Sequence, residues 1–162
     1  MPTNPLRVLV TGGAGFIGSA LVRRLIADSD HHVLNFDKLT YAATLSSLES
    51  VAIHPRYSFL KADICDADAV AHAFKTFDPD VVVHLAAESH VDRSISGSDV
   101  FVKTNVLGTF TLLEAARRFM ASGRKGSADF RFVHVSTDEV YGSLGDDGLF
   151  TEMTPYDPSS PA

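Results

Sequence analysis

Two stretches of this 162-residue chain carry side chains whose types and spacing could do chemistry. In HVSTDEVYG, residues 134–142, a hydroxyl and two carboxyls follow one another at Thr137, Asp138 and Glu139. Either these acids are solvated turn residues or, if their surroundings keep one carboxyl protonated and the other ionised, they can serve as a general acid and a general base. The hydroxyl can donate a hydrogen bond to an oxygen of the same substrate. In TGGAGFIGS, residues 11–19, the glycines Gly12, Gly15 and Gly18 recur every third position. Such a turn lets backbone amides approach a diphosphate, and the amino terminus of a following helix adds a favourable dipole. Gly18 is expected to let that helix pack closely on the preceding strand.

The elements that must position these groups follow from hydrophobic periodicity. Leu6–Thr11 is a short β-branched run ending in glycines, which predicts a buried strand. Phe16–Ala27 follows as a helix, with Phe16, Ile17, Ala20, Leu21 and Leu25 expected on its inner face. His32–Phe36, Tyr57–Lys61, Asp80–Leu85 and Phe130–Ser136 read as further strands. Between them lie a helix over Asp66–Phe77, with Val70, Ala73, Phe74 and Phe77 inward, and a long one over Ser98–Ala121. This alternation predicts an α/β fold, a Rossmann-like doubly wound parallel sheet in the order 3-2-1-4-5, with its ligand crevice outside the carboxyl ends of the strands. The long helix is apolar nearly all round, so it needs burial on more than one side.

Asp37 stands at the end of the second strand, 19 residues past Gly18, where it can accept hydrogen bonds from the ribose hydroxyls of an adenosine. Its charge would repel a 2′-phosphate, which favours NAD over NADP as the cofactor. Asp63 and Ile64 follow the third strand, where adenine would lie, although Asp63 taken alone serves equally well as the amino-terminal cap of the next helix. Leu85, Ala86 and Ala87 follow the fourth strand and are small enough for a cofactor to come close.

Composition narrows the alternatives. A net charge of −6 argues against a nucleic-acid partner, which would select a basic face. No apolar run approaches bilayer length, and the lone Cys65 leaves neither an intrachain disulfide nor a cysteine metal cluster. The expectation is a soluble protein of a reducing cytoplasm, with no membrane partner and no metal.

Together TGGAGFIGS, FDKLTYA, KADI, HLAAESHVDRSI, TNVLGT, LLEAAR, HVSTDEVYGS and FTEMTPYDPSSP resemble the amino-terminal part of the dTDP-glucose 4,6-dehydratases, a family of the extended short-chain dehydrogenases/reductases. The resemblance runs in order over essentially the whole chain, and the TDE run is its sharpest element. It implies NAD contacts at Phe16, Ile17, Asp37, Lys38, Leu39, Thr40, Asp63, Ile64, Thr104 and Leu85 through Ser89, the last stretch taking in Ala86, Ala87 and Glu88. It implies substrate contacts at Ser89 and Thr137, a proton donor at Asp138 and a proton acceptor at Glu139, and a cleft that also holds His90, Asp92 and Arg93. The implied reaction oxidises a nucleotide-linked hexose at C4, eliminates water across C5–C6 and returns hydride to C6. On this reading the acid pair stands where the nicotinamide and the sugar meet.

The sequence also departs from the family's pattern. The oxidation step there uses a tyrosine with a lysine four residues later, just past a PSSP-like segment; here Ala162 stands about where that tyrosine is expected. Tyr141 and Tyr156 lack a lysine at that spacing. The chain therefore reads as an NAD-binding domain over 1–142 and an irregular tail over 143–162, cut short before the last strands and the substrate domain, and inactive by itself. An apolar groove beside the 98–121 helix is expected to favour a homo-oligomer. The alternatives are another nucleotide-sugar epimerase, decarboxylase or dehydratase, against which the acid pair speaks, and a non-catalytic NAD-binding module.

Overall fold

A computed structural model describes residues 4–89, 97–123, 129–145 and 148–159. The predicted sheet is present. β1 (Arg7–Thr11), β2 (His32–Asp37), β3 (Tyr57–Lys61), β4 (Val81–His84) and β5 (Arg131–His134) are all parallel and lie in the order β3-β2-β1-β4-β5. β1 is central and is buried on both faces, as its unbroken apolar run requires.

Alternation along the strands sends side chains to two cores. Leu9, Leu34, Phe36 and Val82 point to one face, which is covered by α2 (Ala67–Phe77) and by α4 (Thr109–Ala121). There Phe74, Phe119 and Phe130 form an aromatic cluster, with Phe74 and Phe119 edge to face at 5.5 Å. Val8, Val10 and Val33 point to the other face, covered by α1 (Phe16–Asp28) and by a short 3-10 helix over Leu45–Val51 that periodicity did not reveal. That second cover stops short of the β4–β5 end of the sheet, where Val133 and Val135 are nearly half exposed.

The long helix over 98–121 is continuous but not uniform. It opens as α3 (Ser98–Phe101), passes through a π-helical stretch (Val102–Gly108) and continues as α4. Its inner face buries Phe101, Leu112, Ala116 and Phe119, while Val102, Val106, Phe110 and Leu113 stay exposed as an apolar stripe. No helix among the described residues is long and apolar enough to cross a membrane.

Three readings need correction. The inward face of α1 is Gly18, Ser19, Val22 and Ile26; Phe16, Ile17 and Ala20 are exposed, with Phe16 at 93%. The phase is set at the helix entrance. A Cβ at Gly18 would meet the Gly12 carbonyl oxygen, and Gly13 Cα at 2.8 Å, so that side must face the turn. Gly18 thus packs on the turn itself rather than on the strand. The amino-terminal cap of α2 is Asp66, which accepts from the amides of Asp68 and Ala69 at 3.1 and 3.0 Å; Asp63 has other work.

Candidate functional site

A cleft opens at the carboxyl edge of the sheet, between the exits of β1, β2, β3 and β4. Its first wall is the turn after β1. Gly12 has φ +71°, and a side chain there would meet the Ala86 amide nitrogen at 2.7 Å, so only glycine lets the turn lie against the exit of β4. Gly15 lines the cleft and is the amino-terminal cap residue of α1; a Cβ there would stand 3.3 Å from the Gly12 carbonyl oxygen. No side chain caps that helix and no acid stands in its first turn, so its positive end is left for an external anion.

Asp37 forms the second wall and is almost fully buried. Its Oδ2 accepts the Ala14 amide at 2.9 Å and its Oδ1 accepts the Leu39 amide at 2.8 Å. These bonds tie the glycine turn to β2 and hold Leu39 at φ +59°, a left-handed backbone uncommon for a branched side chain. A carboxylate offers about four acceptor sites, so two amides leave capacity for ribose hydroxyls.

Lys38 and Asp63 close the third side through an ion pair at 2.6 Å. Burial pushes the Asp63 carboxyl up, but the Lys38 hydrogen bond and the Cys65 amide outweigh it and bring the group below its ordinary value. The same hydrogen bond raises Lys38. Thr40 and Ile64 complete this side.

The fourth wall is Leu85, Ala86, Ala87 and Glu88, with Thr104 behind them. Beneath it lies His84, fully buried and unpredicted from the sequence. The Leu85 and Ala86 amides both reach Thr11 Oγ1 at 3.3 Å. With both lone pairs of that hydroxyl engaged, its proton goes to His84 Nδ1, 2.7 Å away. The ring proton is then on Nε2, donated to Thr109 Oγ1 at 2.9 Å. Burial, and next the neighbouring His134 ring, lower the His84 pKa to about 4, in keeping with a neutral ring.

The sequence-derived set divides on this geometry. The glycines Gly12 and Gly15, the acids Asp37 and Asp63, and Lys38, Thr40, Ile64, Thr104 and Leu85 to Glu88 line one cleft. Phe16 and Ile17 stand exposed at its edge, Gly18 lies buried behind the turn, and Leu39 packs into the α1-side core. Ser89 is exposed beyond the wall, and His90, Asp92 and Arg93 lie outside the described residues. Thr137, Asp138 and Glu139 follow β5 on the same edge of the sheet but do not line the cleft; all three are exposed. Thr137 caps a short 3-10 helix (Asp138–Tyr141), accepting from the Glu139 amide at 3.2 Å and donating to Asp138 Oδ1 at 3.3 Å. The expected meeting of acid pair and cleft is not formed among these residues.

A doubly wound parallel sheet, an uncapped helix behind a glycine turn and a buried acid ending the second strand define the Rossmann-like class, and these groups fit a dinucleotide. The chain belongs to the GDP-mannose 4,6 dehydratase family, whose model matches residues 9–161. A Sinorhizobium fredii protein named a probable dTDP-glucose 4,6-dehydratase is 62% identical over 96% of this chain and 45% of its own length. The structure of the Streptomyces venezuelae dTDP-glucose 4,6-dehydratase DesIV, which has NAD bound, is 48% identical, with a TM-score of 0.85 over 96% of this chain and 47% of that one. A UDP-glucose 4-epimerase from Thermus thermophilus in complex with NAD is 32% identical, with a TM-score of 0.81 over 96% and 46% of the two chains. The chain thus spans under half the length of these relatives.

Proposed function

We propose that this chain is the NAD-binding portion of a dTDP-glucose 4,6-dehydratase, which converts dTDP-glucose to dTDP-4-keto-6-deoxyglucose. The observation that carries the reading is the cleft, where an uncapped helix end and the Asp37 carboxylate stand together at the carboxyl edge of β1 and β2. The identity to dTDP-glucose 4,6-dehydratases exceeds that to the epimerase and supports the substrate.

Bound NAD would supply the acceptor, and later the donor, of a hydride. In the chain itself the α1 amino terminus and the glycine turn hold the diphosphate, and Asp37 holds the adenosine ribose. Thr137 donates to the C4 oxygen. Glu139 takes the C5 proton while Asp138 protonates the departing C6 hydroxyl. That division of labour calls for an enclosed site, and none of the described residues encloses Asp138 or Glu139, which are both exposed. The isolated chain therefore binds NAD but turns over dTDP-glucose at a negligible rate. The exposed apolar stripe of the 98–121 helix supports self-association of the chain, which light scattering at rising concentration measures.

A non-catalytic NAD-binding module is the second reading, favoured by the exposure of Asp138 and Glu139. Two measurements test the assignment. Calorimetric titration with NAD is expected to show one site per chain, and absence of heat and of competition by ADP would sink the cofactor reading. Supplying in trans a segment that bears a Tyr-x-x-x-Lys helix is expected to restore formation of the 4-keto sugar. If the restored rate is unchanged by Asp138→Asn with Glu139→Gln, the dehydratase reading fails.

A further inference from the structure

Among the described residues lining the cleft, Lys38 is the one cation, set among the carboxylates of Asp37, Asp63 and Glu88. A cation beside the acid that ends the second strand is what a 2′-phosphate on the adenosine ribose would seek. The charge of Asp37 therefore does not decide between NAD and NADP by itself, because Lys38 directly follows it and could offset it. Lys38 is not at liberty to do so. Its Nζ stands 2.6 Å from Asp63 Oδ2, although the lysine side chain is 55% exposed. Asp63 comes from the loop after β3, and its other oxygen, Oδ1, accepts the Cys65 amide at 3.0 Å, which aims the carboxylate. The Asp63 side chain is only 25% exposed. Drawing the ammonium away would leave a largely covered carboxylate without its cation, and an unpaired charge there costs more than one in water. Glu88, from the β4 wall, lies near enough to act on the same ammonium. Lys38 thus faces two carboxylates before any phosphate arrives.

We propose that Asp63 is a second determinant of cofactor choice, holding the Lys38 ammonium so that it cannot receive a 2′-phosphate. This rests on the NAD reading given above and divides the exclusion of NADP between two acids with different tasks. Asp37 repels the phosphate directly, and Asp63 withholds the cation that could attract it. NAD and NADP differ only in that phosphate, so the effect is read as a ratio of affinities in which changes common to both cancel.

The test titrates the full chain with NAD and with NADP, as wild type, Asp63→Asn, Lys38→Met and the double variant. The asparagine keeps an oxygen for the Cys65 amide and removes the charge that holds Lys38. Asp63→Ser, whose hydroxyl can also accept that amide, carries the comparison should the asparagine variant fail to fold. Asp63→Asn is expected to raise the affinity for NADP relative to NAD about tenfold, the size of one charge-assisted hydrogen bond. The gain should vanish in the double variant, because it needs the released ammonium, and Lys38→Met alone should show none. An unchanged ratio in Asp63→Asn would overturn the proposal. So would an equal gain in the double variant, which would show the charge of Asp63 acting without Lys38, or a wild type that binds NADP as tightly as NAD. These three results leave the dinucleotide site standing. If wild type binds neither dinucleotide, the cofactor reading fails and the role of Asp63 falls with it.

Discussion

The two ends of the sheet's carboxyl edge are built on different principles. At the β1–β3 end, each group that could meet a ligand is held by a second group. Asp37 is fixed by two amides, Lys38 by Asp63, and the glycine turn by the exit of β4. At the β5 end, the Thr137 hydroxyl bonds to the Asp138 carboxylate and the Glu139 amide of its own turn, and Thr137, Asp138 and Glu139 are all exposed. A binding site must be stiff before its ligand arrives, whereas an acid pair acquires distinct protonation states only when enclosed. The first end meets its requirement within this chain. The second leaves its requirement to surroundings not formed by the described residues.

Substitution at the stiff end should therefore have the largest effect. Gly18→Ala places a methyl against the Gly12 carbonyl and the Gly13 Cα, contacts between backbone atoms that cannot rotate away. A loss of about 3 kcal/mol in urea unfolding is expected, at the upper end for overpacked sites, together with loss of NAD binding. Wild-type stability in this variant would mean that the entrance to α1 is looser than described.

The next effect is pH-dependent and belongs to the wall over β4. The folded pKa of His84, about 4, lies below the 6.5 of an unperturbed histidine, so the unfolded chain takes up the proton first on acidification. The contribution is undiminished above pH 6.5 and is lost as the pH falls from there towards 4. Between pH 7 and 5 it amounts to roughly 2 kcal/mol. His84→Gln has no such titration, and its unfolding midpoint should fall less over that interval than that of the wild type. Equal falls would show that the ring is not held neutral.

The smallest effect should come from the acid pair. Asp138→Asn with Glu139→Gln is expected to change stability by no more than about 0.5 kcal/mol, as at other exposed sites without a buried partner. A larger loss would mean that the carboxylates already serve the fold, and the contrast between the two ends would weaken.

The contrast also explains what could be read from the sequence. The five strands and their order were legible because buried parallel strands are unbroken apolar runs between glycines and helical periods. That Gly12, Gly15 and Asp37 share one cleft was legible because a glycine turn between strand and helix, and an acid ending the neighbouring strand, both fall at the carboxyl edge of a parallel sheet. The phase of α1 was not, since Phe16 and Ile17 match the helical period of the core positions yet are turned outward by one contact at Gly18. Nor was the π winding of Val102–Gly108, which shows only in its contacts with Glu88 and with the loop after β3. Asp63 and Asp66 are both plausible caps by type, and the choice between them turns on where Lys38 stands. The placement of Asp138 and Glu139 was hidden for a related reason, because burial is a property of what packs on a residue and leaves no mark in the residue itself.

The central strand is also the first to be made. β1 pairs with β2, about 25 residues downstream (Val8 with Val33), and with β4, 73 residues downstream (Val8 with Val81). During synthesis Val8, Leu9 and Val10 must therefore wait, one edge unpaired, until Val81–His84 have left the ribosome. Throughout that interval the nascent chain exposes an apolar strand edge to other nascent chains and to chaperones.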